Sequence, residues 1–420
     1  MMKLRRLDGF TRFSTRLCVS SALFSAMVLA ASSLGAQDTT AVPAPDTGYV
    51  EYHDSPISLP LGLGLRIPTY DRVNGLALPW GPKLEMSDGR VDVDGLVTYR
   101  SNLGKWDPSI EGVLRPGDAN EIRIFAGRGT FTNDSWIRDD ITNSAAAFFV
   151  GSDARNWYRG DRITGRIATT LTGTAVSLTP FVGGNYENDW STGSLAPTKS
   201  PWSFFGRKGN LRMRRPNPPI AKGNITSILG GTGLQVVNGG LDARLDAMLE
   251  RSVRINFVND CGELPPVLNC APTDNFTQLV LDGKLSFPTF GSQTFTFKGH
   301  ALETFAGGVA PGQRFSYLGG SGTLATVNLL AMGGDHLLFV SGDYVIPIDR
   351  VQLPYVGNPF LAVRYAAGSA GTNGIPTLIQ NIGIGAGVSL LRVDFSLDPA
   401  KTRSPISRRS AVSFGVAISP

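Results

Sequence analysis

From about residue 70 to the C-terminus, apolar and polar residues alternate in one run after another, most plainly over the last forty residues. Leu391, Val393, Phe395 and Leu397 fall on one parity, and Arg392, Asp394, Ser396 and Asp398 on the other. Such alternation gives an extended strand two unlike faces. Just upstream, Ile382, Ile384, Ala386, Val388 and Leu390 oppose Asn381, Gly383, Gly385, Gly387 and Ser389, and downstream Val412, Phe414, Val416 and Ile418 repeat the pattern. The parity flips between Leu390 and Leu391, which marks a bulge or a very tight hairpin.

The same reading yields strand candidates at about 71–86, 91–103, 107–115, 119–130, 143–151, 157–171, 173–186, 223–237, 239–254, 275–287, 291–305, 314–328, 335–348, 360–367, 379–398 and 408–419, sixteen in all. Soluble strands average about five or six residues, whereas strands that cross a membrane need roughly 9 to 11. Many of these segments exceed ten. Their connections alternate between short, as at Ser87-Asp88-Gly89-Arg90 and Asn238-Gly239-Gly240, and long, as at 187–222 and 255–274. Short turns at one end and long loops at the other are the outer-membrane pattern. The expected fold is therefore all-β, a transmembrane antiparallel β-barrel of about sixteen strands. Its lipid face would carry Phe295, Phe297, Val340, Tyr344, Val393, Phe395, Phe414 and Val416.

Two segments are ambiguous on pattern alone. Leu241 to Glu250 alternates perfectly, yet Leu241, Leu245, Met248 and Leu249 also share a helical face; its neighbours argue for a strand. Ile57 to Ile67 has strand character among prolines 56, 60 and 68, and reads as a plug, an edge or a lead-in.

The N-terminus changes the charge balance. Lys3, Arg5, Arg6, Arg12 and Arg16 precede an apolar run from Leu17 to Ala31 and the small residues of Ser33-Leu34-Gly35-Ala36, a secretory signal with cleavage expected between Ala36 and Gln37. Removing it takes the 39 basic and 34 acidic residues to 34 and 33, a net charge of about +1. Nucleic-acid binding thus has no global electrostatic support. The organisation expected is a signal peptide over 1–36, a Thr/Ala/Pro-rich linker or lead-in over 37–69 and a barrel over 70–420. Cys261 and Cys270, the two cysteines outside the signal, bracket a turn-rich segment and read as a loop-stapling disulfide in an oxidising compartment.

Catalytic chemistry is not visible. His53, His300 and His336 have no metal-ligand or nucleophile spacing, and no phosphate-binding loop, zinc-protease motif or serine elbow occurs. No cofactor is expected, and His300 reads as a solvated lumen or loop residue beside Lys298. The carboxylates of residues 87–95 lack calcium-loop spacing and read as turn acids. Arg207, Lys208, Arg212, Arg214 and Arg215 concentrate positive charge in the 187–222 connection near Trp190, Trp202, Phe204 and Phe205. An exposed loop accounts for them, and so would contact with lipopolysaccharide phosphates or a partner protein.

Three stretches resemble the closing part of the bacterial surface-antigen barrel, a family of outer-membrane assembly and translocation factors. Tyr317-Leu318-Gly319-Gly320-Ser321-Gly322-Thr323-Leu324 resembles the start of its lumen-inserted loop. Leu338 to Ile348 resembles the strand that follows, and Gly383 to Gly387 with Leu391 to Phe395 resembles its closing strands. Tyr70 to Leu76 looks like the first barrel strand of related proteins. The resemblance implies a sixteen-stranded barrel in the cell outer membrane, in contact with lipid, with a role in membrane assembly or transport and no enzymatic activity. It departs from the family in three places. Ala325-Thr326-Val327 stands where the family has an Arg-Gly-aromatic signature that anchors the loop, residues 37 to about 70 stand where folded periplasmic repeats precede the barrel, and Phe414 lies well before Pro420 where the last residue is usually aromatic. The resemblance therefore implies the barrel more directly than insertase activity. Readings from other classes are a structural or passive pore-forming barrel, a lipid-modifying barrel enzyme without a recognisable constellation, and a soluble secreted all-β binding protein.

Overall fold

The computed structural model describes residues 57–86, 88–192, 202–205, 213–258, 274–305, 309–351, 358–388, 391–400 and 405–416. The signal segment, the Cys261 and Cys270 pair, and Arg207, Lys208 and Arg212 lie outside them. The described residues belong to one compact unit that begins at Ser55.

Nineteen hydrogen-bonded segments form one antiparallel sheet, and joining those that run on in line gives sixteen strands. β1 is interrupted, with Ile57–Ser58 and Thr69–Asp71 joined through a bridge from Leu65 to Trp80. β2 combines Gly75–Trp80 and Lys83–Met86, both paired to the next strand. β3 (Val91–Arg100), β4 (Lys105–Leu114) and β5 (Asn120–Phe131) follow. β6 (Tyr158–Thr169, continued by Leu171–Thr172) and β7 (Val176–Ser191) come next. β8 (Gly223–Asn238) and β9 (Leu241–Phe257) are the longest hairpin, so the ambiguous Leu241–Glu250 stretch is a strand. β10 (Thr277–Pro288), β11 (Thr294–Thr304), β12 (His336–Pro347) and β13 (Pro359–Gly371) continue the meander. β14 (Ile379–Val388), β15 (Leu391–Leu397) and β16 (Ser410–Val416) end it.

Four sequence assignments shift. Residues 143–151 are helical: α1 (Asp140–Ala145) is capped by Asp139, whose carboxylate accepts from Thr142 N at 2.8 Å, and a π-helical turn carries it to left-handed Gly151. The cap and the terminal glycine are local signals that outweigh a short apolar run. Residues 314–328 leave the wall for the lumen. Residues 379–398 are two strands, with Val388 opposite Leu391, as the parity flip requires. Residues 57–67 belong to the wall as part of β1, while Tyr70–Leu76 turns the chain from β1 into β2, Asp71 Oδ1 accepting Val73 N and Asn74 N at 2.8 and 2.7 Å. Two assignments lost and two strands gained leave the count at sixteen.

Alternating strand direction puts connections 101–104, 132–157, 192–222, 258–276, 305–335, 372–378 and 398–409 at one end, here the loop end. The turn end has 87–90, 115–119, 173–175, 239–240, 289–293, 348–358 and 389–390. Register aligns Phe287, Phe295, Tyr344, Val363, Ile384, Phe395 and Val412 in one row across seven strands. Within it Ile384 is 63% exposed and Phe395 42%. A continuous apolar row of this kind needs lipid rather than water against it. The expected lipid face is thus the outer face, with Phe297 and Phe414 exposed on flanking rows.

Candidate functional site

The connection from β11 to β12 folds back into the lumen. Pro311 leads into a 3-10 turn, Gly312–Arg314, and a small hairpin pairs Ser316–Leu318 with Met332–Gly334. Gly319 (φ +124°) and Gly320 (φ +85°) make the sharp departure between them; a Cβ on Gly319 would lie 2.0 Å from Asn328 O, so only glycine fits. Leu318, Leu324 and Val327 then bury themselves against Leu302, Leu337, Phe339, Ala366, Ala370 and Ile379 of the wall. Each such side chain contributes roughly 1.5–3 kcal/mol, enough to make the loop part of the folded core.

One arginine anchors the loop's entry. Arg314 donates from Nε to Glu250 Oε2 at 2.7 Å and from Nη2 to Glu250 Oε1 at 2.9 Å, and the same Nη2 also meets Glu187. Glu187 on β7 is shared with Arg162 of β6 at 2.8 Å. All of these groups except Arg162 are buried, where a paired, forked contact is strong and an unpaired charge is costly. Gln278 of β10 donates to the Arg314 carbonyl at 3.4 Å.

At the loop's tip the polarity of the anchor is reversed. Arg364, from β13, donates to Gly322 O at 2.9 Å, and Asn381, from β14, donates to Thr326 Oγ1 at 2.7 Å while accepting from Thr326 N at 3.0 Å. The stretch that lacks an arginine, Ala325 to Val327, is thus held by donors from the wall. The loop also ties down the β15–β16 connection, through Asn328 N to Ile406 O (2.8 Å) and Arg408 N to Thr326 O (2.7 Å). The cavity beside the tip measures about 10 Å³, room for about one water.

The loops after β5 and β7 close over the same region. Asn133 donates to Gln313 O, Arg138 to Ser321 O at 2.9 Å, and Gln313 to Ala221 O at 3.4 Å. Asp134 accepts from Asn156 N at 2.8 Å and Tyr317 N at 3.1 Å, which joins the β5–β6 loop to the inserted loop. Burial pushes the Asp134 carboxyl up to about 7 against the pull of those two N–H groups and Arg215. Arg215, of the basic cluster, turns inward. It donates to Asn156 Oδ1 and to Arg155 O at 3.0 Å, and burial beside Arg72 lowers its guanidinium to about 9. Arg214 is exposed at the loop end.

The Asp134 carboxyl gives a pH prediction. Its folded value lies above the ordinary carboxylate value, so the native state holds a proton that the unfolded chain releases near pH 4. Stability is lost as pH rises from about 4 to about 7. Asp134→Asn is expected to flatten this window. Thermal unfolding at pH 5 and pH 8 should differ more in the wild type than in the variant, and equal differences would remove the assignment.

His300 faces the lumen, as its parity requires, but it is not solvated. Its ring stacks on Trp136 at 4.1 Å, Nδ1 meets Asp282 Oδ1 at 2.7 Å and Nε2 meets Ser316 Oγ at 3.4 Å. His300 and Ser316 are buried and Trp136 covers the imidazole. Asp282, His300 and Trp136 thus clamp Ser316 of the inserted loop to the wall. Arg314, Glu187 and Glu250 escaped the sequence reading, although a charged residue between Pro311 and Tyr317 in an otherwise apolar loop is the kind of signal that marks such an anchor.

Among solved structures, BamA from Haemophilus ducreyi lacking POTRA domains 1–3 matches over 83% of this chain and 68% of that one, at 13% identity and a TM-score of 0.51. The chain has the fold of an outer-membrane β-barrel. CdiB from Escherichia coli matches over 84% of this chain and 62% of its own length, at 12% identity and a TM-score of 0.49. The barrel therefore spans less than two thirds of the CdiB structure. No family model matches the sequence, and no curated protein matches it.

Proposed function

We propose that this barrel takes part in membrane assembly or transport through a lumen that its own loop closes, and that it does so without enzymatic chemistry. The observation that carries this is the inserted loop, whose entry is fastened by Arg314 and whose tip is fastened by Arg364 with Asn381 inside a wall of the BamA type. A passive pore would need an open path where Leu318, Leu324 and Val327 are packed to 2% exposure or less. The lipid-facing rows support a place in the outer membrane, and the exposed Arg214 at the loop end supports contact with lipopolysaccharide phosphates or a partner protein there.

Depletion of the protein from its native cell tests the role. The amounts of other outer-membrane barrels, or of an exported protein, should fall; unchanged amounts of both would count against it. The closed lumen is tested separately in planar bilayers. The wild type should show no steady conductance, and replacing residues 312–328 by a short Gly-Ser linker should open one. A wild type that conducts steadily would favour the passive pore.

A further inference from the structure

Below the inserted loop, toward the turn end, the lumen wall carries an arrangement that the loop anchors do not explain. Register places Arg244 of β9 opposite Lys284 of β10, and Lys284 opposite Lys298 of β11. All three face inward, because Leu245, Leu249 and Phe297 on the opposite parity are exposed outside. Like charges directly opposite on neighbouring strands destabilise a sheet, and side chains at such positions start only about 4.5–5.5 Å apart.

Asp242, Asp246, Asp282, Asp343 and Asp394 share this inner face, yet none lies within 4 Å of the Lys284 or Lys298 amine. Arg244 is held by Asp246 at 2.6 Å. Asp282 is engaged by His300, while Asp343 and Asp394 are engaged by Arg392 at 2.8 and 2.7 Å. Among the described residues Lys284 and Lys298 have neither an ion pair nor a hydrogen bond from their amines. Arg364, Lys284 and Arg392 add to the positive field at Lys298, which Asp343 offsets in part, and Lys298 remains exposed to the lumen. The other lumenal cations at this level, Arg244, Arg364 and Arg392, each have a carboxylate within 4 Å.

We propose that Lys284 and Lys298 form a lumenal site for a phosphate-bearing anion. Two opposed ammonium groups are point charges without the planar fork that selects a carboxylate, and a dianion with several oxygens neutralises both at once. Lys284 and Lys298 lie on the turn-end half of their strands, away from the loop's anchors. The site depends on the barrel and its interior face, and on neither the assembly nor the transport reading.

The test is calorimetric titration of the full-length protein in detergent with inorganic phosphate, with glycerol phosphate and, in mixed micelles, with short-chain phosphatidic acid. Saturable binding is expected. It should weaken at least tenfold in the Lys284→Gln/Lys298→Gln variant and stay unchanged in Lys105→Gln, a remote exposed lysine. Binding of the free anions assigns a soluble ligand, and binding of phosphatidic acid alone assigns a lipid headgroup. Without phosphate, Lys298→Glu should unfold at a higher temperature than the wild type, because it turns a repulsive pair into an attractive one, and it should lose the anion. An undiminished affinity in both lysine variants, or saturable binding of a poly-glutamate peptide but of no phosphate, would overturn the proposal.

Discussion

Arg314→Ala is expected to lower the unfolding free energy by about 3–5 kcal/mol, the cost of leaving a buried charge without its partner. Two carboxylates, Glu187 and Glu250, would lose the same guanidinium at once; among the described residues only Arg162 would remain paired with the first and no cation with the second. The wall ladders do not pass through Arg314, so the barrel should still form and still show heat-dependent mobility. The loop should instead be cut by added protease within 309–335, where the wild type is protected. Arg314→Lys should recover only part of the effect, since an ammonium cannot hold Glu250 with two parallel bonds. A loop equally protected in Arg314→Ala would show that its apolar contacts alone keep it in the lumen.

The second large effect lies on the outer surface. Phe395→Arg places a charge in the row that runs from Phe287 to Val412, and a lipid-face arginine costs roughly 2–4 kcal/mol near the bilayer midplane. The fraction that folds into vesicles, read from mobility with and without boiling, should fall sharply. Its neighbour in sequence, Asp394, points inward to Arg392, so the same experiment on Asp394→Asn should leave insertion largely intact. If Phe395→Arg inserted as well as the wild type, the faces of β15 would be reversed.

These two variants also mark where sequence reading succeeds and where it stops. The lipid face was legible because parity along a strand is a local property: Val393, Phe395 and Leu397 face one way whatever their neighbours do. The same locality misplaced residues 143–151 and 314–328. In the first, the Asp139 cap and Gly151 set a helix that a short Ala-Phe-Phe-Val run conceals. In the second, Gly319, Gly320 and Gly322 at positive φ break an alternation that reads as a strand on paper.

By itself, the sequence determined the β class, the lipid-facing parity of each strand, and the division into a turn end and a loop end. All follow from periodicity and connection length, which a linear chain displays directly. Its strand count agreed only because two misplaced segments were offset by two unforeseen strands. The tertiary structure alone decided how the lumen is closed. Glu250 lies 64 residues before Arg314 and Glu187 127 before it, and they converge because the register of β6 to β10 accumulates strand by strand until both carboxylates reach one level. Arg364 and Asn381 likewise meet Gly322 and Thr326 only once β13 and β14 are in place. Register is a property of pairs of strands, so an anchor built across several of them has no image in any one segment of the chain.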